Sequence, residues 1–255
     1  MESSVVVKIF RLIEALAASE EEQPLGELAE QVELAKPTAH RLLKLMVQLG
    51  YVKRNEGGLY RLSGKLQQLA RGNQSSSLLA AARPVLARIH RQTGETVNLG
   101  VLRQGKVVYQ HVIESRHPLR RIAEPNATDP FYSTALGRSI VAHLPEQRQR
   151  AMLESASPLR RRTSATVTDR RQLLEILRVV RTQGYAVEQD QTDLGVTCVG
   201  APLFRDDEVV AAISISVPTA RASAKRLAEL TPIVRQGAAK ISRSLSSARQ
   251  LAVAI

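Results

Sequence analysis

Cysteine is almost absent from this chain of 255 residues: Cys198 stands alone, which excludes an internal disulfide and any cysteine-rich zinc site. Long apolar runs are missing as well. Lys8 and Arg11 interrupt the N-terminal valines, so no secretory leader is read there, and no stretch is long and apolar enough to cross a bilayer. A soluble cytoplasmic protein with no membrane partner is the expectation. The marks of an enzyme are also lacking. No nucleophile stands at recognisable spacing from a base, and no glycine-rich loop would cradle a phosphate. His90, His111, His117 and His143 have no metal-ligand spacing, so neither metal nor cofactor is expected. No internal repeat of fixed period is visible.

Positive charge, by contrast, is abundant. Lys and Arg number 36 against 24 Asp and Glu, a formal charge of +12, which points to an anionic partner without naming it. The length allows one large domain or two ordinary ones, each with a core.

Residues 25–62 read as a short helix, a tight turn, a second helix and a β-hairpin, the order of a winged helix-turn-helix. In the second helix Ala39, Leu42, Leu43, Met46 and Leu49 recur at helical spacing and should face a core. Thr38, Arg41, Lys44 and Gln48 fall on the opposite side, with His40 nearby. Pro37 suits the first turn, where its missing N–H costs nothing. Lys36, Thr38 and Arg41 therefore crowd the N-terminal end, the end that meets base edges in such modules. Residues 51–54 and 59–62 form the hairpin around Asn55-Glu56-Gly57-Gly58. From 36 to 65 the cations are Lys36, Arg41, Lys44, Lys53, Arg54, Arg61 and Lys65, against Glu56 alone, a polarity suited to a phosphate backbone. The candidate contacts to double-stranded DNA are Lys36, Pro37, Thr38, His40, Arg41, Lys44, Lys53, Arg54 and Arg61.

Ahead of this stretch, Val6, Phe10, Ile13 and Ala17 keep helical spacing after a cap at Ser3 or Ser4, and Glu20-Glu21-Glu22 reads as a solvated turn. Leu28, Ala29 and Val32 complete a three-helix core. After the hairpin, helical character lasts to Arg71, and the polar run of residues 72–77 breaks it as a linker. A helix over 78–92 follows, then strands over 96–102 and 107–113 about a turn at Gly105, and a loop entering a helix over 131–144. Thr168 or Asp169 should cap an amphipathic helix that stops at Gly184. Strands over 185–188, 198–204 and 209–217 precede a long helix over 223–252. The fold class is thus α+β: residues 1–63 a winged helix-turn-helix, 64–77 a linker, and 78–255 a second domain with an antiparallel sheet.

Four segments carry a resemblance. LAEQVELAKPTAHRLLKLMVQLGYV in the first part, then PFYSTALGR, GYAVEQDQTDLGVTC and AAISISVP in the second, resemble the IclR family of bacterial transcriptional regulators over nearly the whole chain. PFYSTALG is most similar to the sugar-acid regulators of that family. The resemblance implies a GAF-like C-terminal domain for effector binding and oligomerisation, a homodimer or homotetramer, and repression controlled by a small organic acid or sugar acid. It also implies an effector pocket at Ser133, Thr134, the backbone N–H groups of Ala135 and Leu136, Glu188, Cys198, Ser214 and Ser216. A helix N-terminus would seat a carboxylate there. Glu188 replaces the family's usual Asp, Gln191 an acidic residue, and Arg205 an Asp or Asn, departures that bear on which ligand fits. Cys198 also fits a small buried hydrophobe, and the two serines could simply bond within the sheet. Arg120-Arg121 and Arg160-Arg161-Arg162 read as solvated loops, with gating of an anionic effector as the alternative. The rival functions are an enzyme or sensor with an appended basic module and an architectural DNA binder.

Overall fold

The computed structural model describes residues 4–19, 21–118 and 124–253; Ser3, Glu20 and the Arg120-Arg121 pair lie outside them. The chain divides into two compact units, Met1–Ser76 and Ser77–Ile255.

In the first unit, α1 (Val5–Ala18) is capped by Ser4, whose hydroxyl accepts from the Val6 N–H at 3.4 Å. Its buried face is Leu12, Ala15 and Leu16, not the line expected from sequence. Val6 and Phe10 are 59% and 58% exposed, Ala17 is exposed, and only Ile13 of that line packs on the core. Ile9, Leu12, Ile13 and Leu16 obey the same spacing a step around the helix, so periodicity alone does not choose between them. α2 (Leu25–Gln31) buries Leu28 and Ala29. A tight turn with Glu33 at φ 55° then leads into α3 (Lys36–Gln48), whose Ala39, Leu42, Leu43 and Met46 close the core. Leu49, expected among them, follows the helix and is 51% exposed.

The wing is β1 (Val52–Arg54) against antiparallel β2 (Tyr60–Leu62), with Gln23 and Tyr60 exchanging two backbone hydrogen bonds as an extra rung. Glu22, expected in water, instead ties this wing down: it takes the Arg61 guanidinium at 2.8 Å and the Asn55 side-chain amide. Tertiary pairing of this kind leaves no local sequence signal.

α4 (Gly64–Thr93) starts in the first unit and ends in the second. It runs unbroken through residues 72–77, where a break was expected. That run contains no proline; Gly72 costs about 1 kcal/mol relative to alanine, and Asn73 and the serines disfavour a helix less strongly, none of which breaks it.

The second unit is built on a six-stranded antiparallel sheet. Its strands are β3 (Thr96–Arg103), β4 (Lys106–Ile113), β5 (Thr128–Pro130), β6 (Ala186–Gln189), β7 (Val196–Arg205) and β8 (Glu208–Pro218), in the order β5-β4-β3-β8-β7-β6. The turns at Gln104-Gly105 and Asp206-Asp207 have positive φ at both central residues, the hairpin geometry that matches strand twist. One sheet face, with Val97, Leu99, Val199, Ile213 and Ile215, packs on α4 and on α8 (Ala224–Val253). The other face packs on α5 (Ala135–Val141) and α7 (Arg170–Gln183), the latter capped by Asp169 and ended by Gly184 at φ 75°. Three elements escape the sequence reading: the short edge strand β5, the 3-10 turn Thr219–Arg221, and α6 (Glu146–Ser155), a strongly polar helix that buries only Gln149 and Leu153.

Two glycines leave room around α5, Gly137 for the loop that leads into the helix and Gly200 of β7 for its first turn. A Cβ on Gly137 would lie 2.4 Å from the Phe131 backbone, and one on Gly200 would lie 2.9 Å from the Ala135 carbonyl oxygen. Gly137→Ala should therefore destabilise the second unit by about 1–3 kcal/mol, read as a lower denaturant midpoint for its unfolding. An unchanged midpoint would show that the backbones yield freely.

His143 follows α5, its Nδ1 2.8 Å from the Ser139 carbonyl and its ring edge-on to Phe204 at 5.2 Å. Burial holds its pKa below the ordinary histidine value, with Arg181 adding to that and the Ser139 contact opposing it. Below about pH 6.5 the unfolded chain then binds more protons than the folded one, so stability falls with pH and levels off under the lowered native value. His143→Gln should flatten the loss of stability between about pH 7.5 and pH 5.5, measured by denaturant unfolding. An identical slope in the variant would contradict this.

Candidate functional site

Two sites emerge, one in each unit. In the first, Ala35 precedes α3 and Pro37 lies in the opening turn, so Lys36 and Pro37 start the helix on its exposed side. His40, Arg41 and Lys44 are exposed beyond them, and Thr38 is half-buried. On the wing, Lys53 and Arg61 are cross-strand partners, both exposed. Arg54 folds back over the Tyr60 ring at 5.5 Å, and Arg61 is engaged by Glu22. Lys65 serves the end of α3 instead. Its ammonium donates to the Leu49 carbonyl at 2.6 Å, closing the C-terminal end of that helix, and lies 4.6 Å from the Tyr51 ring centre. The result is a cationic, donor-rich edge of α3 beside a basic hairpin.

The second site is a buried polar cluster on the α5 face of the large sheet. Strand register lines up Glu188, Cys198, Ser216 and Thr96 across β6, β7, β8 and β3, with Gly200, Ser214 and Asn98 in the adjacent row. Residues two apart on a strand share a face, so the two rows form one polar patch. The Cys198 thiol and the Ser216 hydroxyl are 3.2 Å apart, and the Asn98 carboxamide donates to Ser214 at 3.2 Å and Ser216 at 3.0 Å. α5 sits above, its first residue against Gly200. Thr134 caps it by accepting from the Gly137 N–H at 3.0 Å, which commits that hydroxyl to the helix. The first-turn N–H groups of Ala135 and Leu136 have no acceptor within a helix. The Leu136 side chain packs towards Gly100, so only its backbone serves a polar role. Ser133 is buried and its carbonyl accepts from Thr192 at 2.7 Å.

Arg138, which the sequence reading does not single out, holds this arrangement together. It is 1% exposed; its Nε donates to the Tyr132 carbonyl at 2.8 Å and its Nη2 to the Gln191 side chain. Burial lowers its pKa to about 10 and the charge of Glu188 works against that, so it is a cation at neutral pH. Glu188 in turn accepts from the Gln191 N–H at 3.1 Å. Asn98 and Thr192 also escape the sequence reading. The only hint is a carboxamide in the otherwise apolar strand around Val97 and Leu99, and a threonine in a polar loop offers none.

Arg160, Arg161 and Arg162 are all exposed, as expected of a solvated loop, and the loop is nonetheless anchored. Arg162 donates to the Thr192 carbonyl at 3.1 Å and stands 3.6 Å from both Asp129 and Asp193, while Thr166 donates to the Gln191 carbonyl at 2.7 Å. Tyr132 bonds the Arg160 backbone. A strap over residues 158–168 thereby fastens the loop of residues 190–193. Among the described residues no group of three or more His, Cys, Asp or Glu could hold a metal ion, and no helix is long and apolar enough to cross a membrane.

Comparison with known proteins covers both units. A model of the IclR helix-turn-helix domain matches residues 5–56, and one of the bacterial transcriptional regulator IclR C-terminal domain matches residues 72–243. The HTH-type transcriptional regulator KdgR of Escherichia coli K12 is 36% identical over 245 residues, 95% of this chain and 92% of that protein. The transcriptional repressor IclR of the same organism is 30% identical over 244 residues, 94% of this chain and 89% of that protein. An IclR homolog from Microbacterium hydrocarbonoxydans, solved in complex with 4-hydroxybenzoate, superposes with a TM-score of 0.63 at 26% identity, covering 96% of this chain and 100% of that one. With a winged helix-turn-helix in one unit and a curled α+β sheet bearing a buried polar cluster in the other, the chain belongs to the IclR family of bacterial transcriptional regulators.

Proposed function

We propose that this regulator is a cytoplasmic repressor, a homodimer or homotetramer, that releases or tightens its operator in response to a small carboxylate or sugar acid. Residues 1–63 bind DNA, 64–77 connect, and 78–255 form a GAF-like domain that binds effector and oligomerises. The observation that carries the reading is the exposed edge of α3, where Lys36, Arg41 and Lys44 project beside a basic wing. Such an edge suits the major groove, with Pro37, Thr38 and His40 at the base-facing end and Lys53, Arg54 and Arg61 along the phosphates. The relative named a transcriptional repressor supports repression, and the neighbour holding 4-hydroxybenzoate supports an acidic effector. That effector would lie against Ser133, Thr134, Ala135, Leu136, Glu188, Cys198, Ser214 and Ser216. It would act by shifting the population of DNA-binding arrangements through residues 65–77, as far as its affinity differs between them. The relatives are regulators, which favours this reading over the rival one of an enzyme with an appended basic module.

Arg41→Ala should weaken binding to a selected operator by about 1–3 kcal/mol, relax specificity at one position and leave binding to random DNA unchanged. Lys53→Ala should weaken binding to both DNAs alike and lower the salt slope by about one. Fluorescence anisotropy titrations at several salt concentrations separate the two. Equal losses on operator and random DNA for Arg41→Ala would make Arg41 a phosphate contact and remove α3 as the reader.

A further inference from the structure

Asn98 lies mid-strand in β3, opposite Ser214 of β8, and is 1% exposed. One end of its carboxamide reaches both Ser214 and Ser216, whereas the other end, Oδ1, has no hydrogen-bond partner. Buried side-chain polar atoms are nearly always paired, because a carbonyl stripped of water and given nothing in return is costly. Val97 and Leu99 face the other side of the sheet, so Asn98 shares its face with Ser214 and Ser216, and its bonds to them account for the amide nitrogen but not for the carbonyl.

The free end points to a donor supplied from outside the protein. A carboxylate is acceptor-only and is unsuited to face a carbonyl oxygen, whereas a hydroxyl donates to it directly. We infer that Asn98 is a specificity-determining residue of the effector site, its free carbonyl accepting a hydrogen bond from a hydroxyl of the bound acid. The site then selects hydroxylated acids over unsubstituted carboxylic acids of the same length. This inference rests on the reading of the polar cluster as the effector site. It adds a requirement that the family positions Cys198, Ser214 and Ser216 do not state: the ligand carries a hydroxyl placed to reach β3.

The test is calorimetric titration of the full chain with gluconate, its monodeoxy analogues and hexanoate. The wild-type protein should bind gluconate more tightly than hexanoate, and deleting one particular hydroxyl should weaken binding about fivefold to tenfold, the effect of one hydrogen bond. Asn98→Ala should weaken gluconate by a similar factor, leave hexanoate unchanged, and bind that one deoxy analogue as the wild type does, the signature of a direct pair. Asn98→Ser, a smaller polar change, should show the same ordering if Asn98→Ala does not fold. The deoxy series on the wild type needs no variant at all. Equal affinities across that series, or equal loss of gluconate and hexanoate in the variants, would overturn the role of Asn98 while leaving the effector site standing. Failure of every one of these acids to bind the wild-type chain would overturn both.

Discussion

The second unit depends on how closely one short helix lies on a sheet. With no Cβ between Gly137 and the Phe131 backbone, α5 folds tightly against the loop that leads into it, and with none between Gly200 and the Ala135 carbonyl it presses its first turn onto the middle of β7. That contact carries the polar rows of β6, β7, β8 and β3 out of reach of water, and burial changes what those groups require. Hydroxyls, a thiol and a carboxamide that solvent would satisfy must instead find partners among themselves or in a ligand. Arg138 shows the same logic with a full charge. A buried guanidinium is tolerated because Tyr132, Gln191 and Glu188 surround it, and in being held it fixes the two loops beside the polar rows.

The first unit works by the opposite arrangement. Its cations stay in water, where Coulomb forces between exposed groups are weak and readily screened. That weakness suits a surface that must exchange counterions for phosphates, and the ties that do exist are directional rather than strong. Glu22 sets the wing through Arg61 and Asn55, and Lys65 closes the end of α3 by capping the Leu49 carbonyl.

Much of this is legible in the residues themselves. The two faces of α3, Pro37 in its first turn and the glycines of the wing are local patterns, as are the long apolar strands β7 and β8. The buried face of α1 is not, because two lines of apolar residues satisfy one period, and α6 is hidden by a sequence that is polar nearly throughout. The continuity of α4 through residues 72–77 outweighs a composition that reads as a linker. What no local pattern holds is register. Glu188, Cys198, Ser216 and Thr96 are aligned by strand pairing over long separations, so Ser214 and Ser216 enter through family likeness while Asn98 and Arg138 stay hidden.

A sensor that governs a DNA reader must change the reader's affinity, whatever the path between them. The most direct measurement is operator affinity of the full chain, by anisotropy, with and without a saturating acid shown by calorimetry to bind it. The expected result is a change of about 5- to 150-fold, matched by an equal change in affinity for the acid when operator is present. Operator affinity that stays the same under every acid that binds would contradict a sensor coupled to a reader.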